Sequence, residues 1–397
     1  MKMKNLIAAL VTVTSAPALA QEATPETSTT PGMDDRMTTT EGKVTSIEEQ
    51  LPELKSALSP LQKLKLSGYV QARYQYETTH EDGTGGFNRF TVRRGRLKAT
   101  YTEDWAQFML QIDVIPSGVA LRDAESTLYI PGTKQTQSVT LGQMKLPFGY
   151  EGPHSSSDRE FPERTRITQS FLPGERDRGV KYAGRFGVLR VTAGIFDGNS
   201  ITVASDNDKE KDVVGRVGFD LKWMSGGVSG WYGTTIRPRV NANPAQNIAF
   251  VSSKAFARNR IGADLQVYLD VLPLGGTALK GEYVAGSSYY RNNVEQYGTP
   301  ATGWYALLVQ NLGVSNAVAV RYDYFDYAAG TPARVDTRDA TQPASTNAVG
   351  TLGLAVLHYF GEHLKATLAY EMPTTAVVAD ARDPVDNLLT FQLQARF

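Results

Sequence analysis

Cysteine is absent from the 397 residues. That excludes disulfide bracing, thiolate metal sites and a cysteine nucleophile. An excess of either charge is also missing, with 41 Lys and Arg against 41 Asp and Glu. So balanced a chain is not a globally basic nucleic-acid binder, and any preference for anions must come from local placement of cations. After the N-terminus no apolar run reaches the ~20 residues of a spanning helix. Histidine is sparse: His80, His154, His358 and His363. The last two bracket a tight turn instead of sharing a helix face, which suits no metal. GTGG at 83–86 is loop composition and no P-loop. No metal or cofactor is expected.

What is present starts with an export signal. Lys2 and Lys4 precede an apolar run over 6–13, and Ala18-Leu19-Ala20 offers a small-residue cleavage site, so residues 1–20 read as a signal peptide. Its removal takes two Lys and leaves 39 basic against 41 acidic residues. Residues 21–43 are polar and Pro/Thr-rich, the composition of a disordered tether. Over 44–61, Val44, Ile47, Leu51, Leu54, Leu58 and Leu61 step by three and four, a heptad spacing interrupted by Pro52 and Pro60. A short periplasmic helix or weak coiled coil is expected there.

From Leu64 onward the period becomes two. Val70, Ala72, Tyr74 and Tyr76 oppose Tyr69, Gln71, Arg73 and Gln75. Phe108, Leu110, Ile112 and Val114 oppose Gln107, Met109, Gln111 and Asp113. Sixteen such segments start near 64, 90, 105, 119, 138, 178, 188, 213, 227, 258, 277, 303, 316, 350, 364 and 388. Strands tilted across a bilayer need ~9–11 residues, and single-chain bacterial barrels use an even number. Tight connectors such as TED (102–104), MSGG (224–227) and GEH (361–363) alternate with long ones, notably 77–89, 147–177, 237–257, 290–302 and 326–349. Aromatics near segment ends, among them Trp105, Trp223, Trp231, Tyr232, Tyr289, Trp304 and Tyr305, suit interfacial girdles. The chain ends LLTFQLQARF, one apolar face finishing on Phe397, which should close the last strand on the first. The pattern predicts an all-β transmembrane antiparallel barrel of 16 strands over 62–397, exported to the outer membrane of a Gram-negative cell and set in its lipid.

One stretch breaks the alternation: DREFPERTR at 158–166, in the longest connector. With its surroundings, GQMKLPFGYEGPHSSSDREFPERTR (142–166) and LPGERDRGVKYAG (172–184), and with FTVRRGRLKATY (90–101), it resembles the phosphate-selective porin O and P family over about 60–397. The resemblance implies a passive diffusion channel, usually a homotrimer, whose third loop (147–177) folds inward and narrows the lumen.

The residues themselves support a lined pore. Arg94, Arg96 and Lys98 share one parity, and Leu97, Ala99 and Tyr101 the other. Turning the cations to lipid would cost ~2–4 kcal/mol each near the midplane, so they should face inward, with Arg73 beside them and Lys145 closing the fifth strand. Guanidinium rings suit anion pores. Arg159, Arg164 and Arg166 are the loop cations expected to meet them. The loop is not a plain anion funnel, because residues 147–180 hold five cations and six anions. Asp158, Glu160, Glu163, Glu175, Arg176, Asp177 and Arg178 are expected to pin it through ion pairs. The expected cargo is small polar or anionic solutes, with phosphate or polyphosphate implied by the resemblance and a mild anion bias. Two other readings are a barrel hydrolase using His154 with a neighbouring Ser, and a sealed structural barrel.

Overall fold

The computed structural model describes residues 61–78, 86–201, 209–238, 252–270, 272–291, 294–329, 348–373 and 387–397, with a few isolated positions besides. The signal peptide, the tether and nearly all of the expected 44–61 helix lie outside these residues.

The strands in chain order are β1 (Leu64–Glu77), β2 (Phe87–Thr102), β3 (Ala106–Ile115), β4 (Gly118–Tyr129), β5 (Gln137–Lys145), β6 (Arg176–Phe186), β7 (Leu189–Phe196), β8 (Asp212–Asp220) and β9 (Met224–Tyr232). They continue with β10 (Thr234–Arg237), β11 (Lys254–Ala257), β12 (Arg260–Leu269), β13 (Thr277–Arg291), β14 (Val294–Leu312), β15 (Asn316–Asp326), β16 (Ala348–Phe360), β17 (Leu364–Pro373) and β18 (Leu388–Arg396). Sixteen of them close one antiparallel barrel, each beside its neighbour in sequence except that β9 pairs with β12. The other two, β10 and β11, form a small hairpin that prolongs the β9–β12 pair. Alternation was too brief there to mark them as strands.

Closure happens where the apolar tail suggests. β18 pairs with β1 from Tyr69–Arg396 to Glu77–Leu388. Gly68 and Phe397 exchange both backbone hydrogen bonds at 3.0 Å. A Cβ on Gly68 would sit 2.6 Å from the Phe397 ring, so glycine makes room for the terminal aromatic. A closed sheet leaves no unpaired edge in lipid.

Side-chain parity sorts the wall. Val70, Leu97, Leu110, Leu265, Leu308, Val320, Leu354, Leu368 and Phe391 lie exposed on the outside, while Gln71, Arg73, Arg94, Arg96, Asp264, Thr367 and Gln392 are buried within. Trp105, Trp223 and Tyr232 sit exposed at strand ends, as girdle residues should. Trp231, Tyr289 and Tyr305 do not: they are buried inside the barrel, because neighbours along a strand point to opposite faces. Two connectors differ from expectation. MSGG begins β9, and the turn is Leu221–Trp223; most of 290–302 is the upper part of the β13–β14 hairpin.

The long connector between β5 and β6, residues 146–175 and here called L3, carries one short helix, α1 (Arg166–Phe171). Phe148, Phe161, Ile167, Phe171 and Leu172 of L3 are buried in one apolar cluster with inward-facing wall residues Val284, Leu307, Val309, Ala317, Ala319, Phe325, Ala355 and Leu357. The hydrophobic core therefore lies inside the barrel, mainly between L3 and the β12–β17 wall, and reaches Phe196, Val214 and Trp231 of β7–β9. Small residues shape the seat: a Cβ on Gly353 would come within 2.7 Å of the Phe161 ring, and one on Gly303 within 2.9 Å of Ile167.

Candidate functional site

L3 is held by polar contacts as well as by its apolar seat. Glu160 accepts from Lys280 on β13 at 2.6 Å. Lys365 on β17 donates to the carbonyls of Ser157 (2.8 Å) and Arg159 (3.0 Å), and Gln394 on β18 to Ser157 (3.0 Å). Glu151 gathers the start of α1, accepting from the Thr165 N–H (3.0 Å) and from the hydroxyls of Thr165 and Thr168 (both 2.6 Å).

The densest contact is Glu163. Its Oε1 accepts from Arg73 Nη1 and from Arg93 Nε, both at 2.6 Å, and its Oε2 faces Arg94 Nη2 at 3.5 Å. Burial alone would raise the Glu163 carboxyl. Arg73, Arg93, Arg94 and Arg159 outweigh it and hold the group well below the usual carboxylate range. Arg93 enters this cluster through a β-bulge. Gln71 pairs with Arg94 and Ala72 with Val92, so Arg93 is the extra residue and turns inward beside its neighbour. A second bulge does the same for Arg122 in β4, which reaches Asp113 at 3.4 Å.

The expected wall cations do face inward, but most of their donors are taken by protein groups. Arg94 also bonds Gln71 (3.0 Å); Arg96 pairs with Asp113 (3.3 Å) and donates to Ser156 of L3 (3.1 Å). Both, with Arg73, are buried beneath the loop. Lys98, lower on β2, remains partly open to the lumen. Of the loop cations, Arg164 bonds Glu175 and the carbonyls of Gly152 (3.2 Å) and His154 (3.1 Å). Arg166 reaches toward Thr351 and Tyr327. Arg159 is buried, and its three guanidinium nitrogens have no hydrogen-bond partner among the described residues.

The expected pins divide. Glu160, Glu163, Glu175 and Arg176 are in ion pairs, and Arg176 takes Asp123 of β4 through two bonds (2.7 and 3.0 Å). Most of these pairs join loop to wall, not loop to loop. Asp177 instead accepts the backbone N–H of Arg178 (2.8 Å) and Gly198 (2.7 Å), and Asp158 meets Arg396 at 4.0 Å with both groups half exposed. His154 stacks on Tyr150, while Ser155 and Ser157 bond each other (2.8 Å).

Two cavities flank L3. One, of about 610 Å³, lies toward the long loops and is lined by Arg93, Arg94, Arg164, Arg166, Arg291 and Tyr327, with Glu163 and Glu175. The other, of about 590 Å³, is bounded by L3 and by the inner faces of β2–β9 and β12, including Lys98, Gln111, Glu125, Lys145, Lys181 and Arg216. Arg93, Arg291, Lys181 and the apolar seat were missed in the sequence. A signal for the seat exists: WYALLVQ, NAVAV and LGLAV are apolar on both faces, the pattern of strands covered on both sides.

The comparisons agree with this architecture. No curated protein matches the chain. Among solved structures, the anion-selective porin from Comamonas acidovorans is similar at 14% identity, covering 84% of this chain and 99% of that one, with a TM-score of 0.59. OmpT of Vibrio cholerae in its trimer form gives 12% identity, 84% and 99% coverage and 0.57. The outer-membrane channel DcaP of Acinetobacter baumannii gives 13%, 84% and 97%, and 0.55. At such identities the likeness is one of fold. The sequence profile of phosphate-selective porin O and P matches residues 64–397. Barrel and profile converge: the chain belongs to the phosphate-selective porin O and P family and is a channel of the outer membrane.

Proposed function

We propose that the barrel passes small hydrophilic solutes by diffusion, with a mild preference for anions, through a path narrowed by L3. The observation that carries this reading is the charge of the outer cavity. Five arginines line it against two carboxylates, and both carboxylates are already held by arginine. Below the loop, Lys98, Lys145, Lys181 and Arg216 line the inner cavity with Asp123, Glu125 and Asp220, so a solute leaving the cationic outer basin meets one with a slight excess of positive charge. Such a path attracts an anion on each side of the loop without a single deep well, which suits conduction. The driving force is the concentration gradient, and no bond is made or broken. Arg93, Arg166 and Lys98 are the residues best placed to touch a solute; Arg73, Arg94 and Arg96 act by fixing the loop. The trimer form of the Vibrio cholerae neighbour supports a homotrimer for this chain as well.

Reversal potential across a bilayer under a KCl gradient tests the reading. Wild type should favour chloride modestly, and Arg93→Ala and Lys98→Ala should each weaken that bias. A strong cation preference in wild type would reject the basic path.

A further inference from the structure

L3 contributes different side chains to the two cavities beside it. To the outer one it brings charge, in Glu163, Arg164, Arg166 and Glu175. To the inner one it brings Leu146, Pro147, Gly149, Tyr150, Pro153 and Ser155, none of them charged. Met109 of β3 and Ala183 of β6 extend this uncharged surface along the wall, and Tyr150, Pro153, Met109 and Ala183 are only half-buried. The charges of the inner cavity all come from the wall, and most are engaged. Lys145 donates to the Pro153 carbonyl at 2.7 Å, Arg216 takes Asp264 through two bonds, and Asp123 and Asp220 accept from Arg176 and Arg190. Lys98 on β2, Glu125 on β4 and Lys181 on β6 make no hydrogen bond or ion pair among the described residues. Glu125 is near enough to Lys181 to offset part of its charge. Two open cations against one open carboxylate still leave a positive balance.

We infer that the inner cavity takes organic anions, molecules with one charged end and one apolar end, and retains them longer than inorganic anions of the same charge. The inference rests on the anion-channel reading and names a class of cargo within it. The charged end goes to Lys98 or Lys181, whose donors are open. The apolar end lies against Tyr150, Pro153 and Met109. A hydrated inorganic anion uses the cations alone and leaves that surface wet, whereas an aromatic or aliphatic group displaces water from it. The volume of about 590 Å³ is in the range of pockets that take small organic molecules, and apolar surface with a few placed polar groups is how such pockets are built. Phosphate esters and carboxylates both fit, because the site discriminates at the uncharged end. Half-buried apolar groups give a modest contact, so such a solute is slowed and then released.

The test uses the full-length protein in planar bilayers at mildly alkaline pH, where inorganic phosphate and phenyl phosphate are both dianions. Each is titrated against the chloride current, and half-blocking concentrations are read. In wild type, phenyl phosphate should block at about tenfold lower concentration, the worth of covering roughly half a phenyl ring. Benzoate against acetate should give a gap in the same direction, since the anionic group is not what is discriminated. Tyr150→Ser and Met109→Gln should each narrow the gap of the phosphate pair to about threefold or less. Tyr290→Ser, in the outer cavity, should leave that gap within about twofold of wild type. Lys181→Gln should raise both values together, by about twofold to fivefold, and keep their ratio. Equal block by phenyl phosphate and inorganic phosphate in wild type would overturn the inference, and so would a gap untouched by both Tyr150→Ser and Met109→Gln. Met109→Gln carries the test if Tyr150→Ser fails to fold, because glutamine has a similar length and suits an inward strand face. Reversal potential on the same channels separates the two readings. A wild type without anion bias sinks the anion reading, whereas a lost gap with the bias intact sinks only this inference.

Discussion

The two halves of the barrel wall differ in what covers their inner faces. Along β12–β18 and β1, inward residues are buried: Glu282, Leu307, Ala319, Arg321, Leu357, Thr367, Thr390 and Gln71 all lie under other atoms. Along β2–β9 the residues at the level of the loop, such as Arg94, Arg96, Asp123 and Trp231, are buried too, but Lys98, Gln111, Glu125, Lys181, Thr192 and Arg216 border a cavity. The strands differ as well. β13 and β14 run for 15 and 19 residues, β7, β8 and β9 for 8, 9 and 9. L3 is thus a wedge held on both sides at its own level, with part of the inner face of β2–β9 left open beside it. The lesson is that inward parity alone does not make a residue pore-lining; the loop decides which inward residues see water.

The sharpest way to break the asymmetry is to unseat the loop. Phe171 is fully buried against Tyr289 and Phe325, with ring centroids 6.5 and 5.4 Å away. Phe171→Ala should weaken L3 docking by about 3–5 kcal/mol, the usual cost of a buried Phe. Single-channel conductance should rise, with the barrel still resistant to detergent at room temperature. An unchanged conductance would mean that the loop holds its place without the apolar seat.

Next in size is the contrast between the two faces of β2. Leu97→Arg puts a guanidinium into lipid and should destabilise the folded barrel by ~2–4 kcal/mol. Lys98→Leu, one residue on and facing the lumen, should change stability far less. Urea titrations of barrel folding in lipid vesicles measure both.

The smallest effect concerns pH. Glu163 is held below its ordinary pKa of 4.5. A depressed carboxyl contributes stability above its unfolded value and loses it only as pH falls through the lower folded value. Loop docking through Arg73, Arg93, Arg94 and Arg159 should therefore be constant from neutrality down to about pH 4.5, and should weaken only in stronger acid. Protection from a thiol reagent of a cysteine placed at Thr367, on the wall L3 covers, should stay level across that interval.

Much of the barrel was legible in the sequence because lipid enforces strict alternation. The parities of Val70 against Gln71, Leu265 against Asp264 and Phe391 against Gln392 all follow from it. Bulges were not legible, since the extra residue leaves the local pattern intact: Arg93 reads as lipid-facing by extrapolation from Leu97. L3 was recognisable by its length and charge, but its partners were not. Glu163 meets wall residues 70 and 90 positions away, and Lys365 lies 208 positions from Ser157. Pairings at that range depend on the closed barrel, which brings distant strands to one place. The burial of Arg94 and Arg96 was hidden for the same reason.

Cysteine accessibility tests the wedge most directly, because the native chain supplies no thiol of its own. Single cysteines at Lys98 and Gln111 on the open arc, and at Thr367 and Thr390 on the covered arc, would be treated in folded barrels with a small charged thiol reagent. Fast modification at 98 and 111 with protection at 367 and 390 is the predicted result. Equal rates at all four positions would contradict a wedge that leaves part of β2–β9 open.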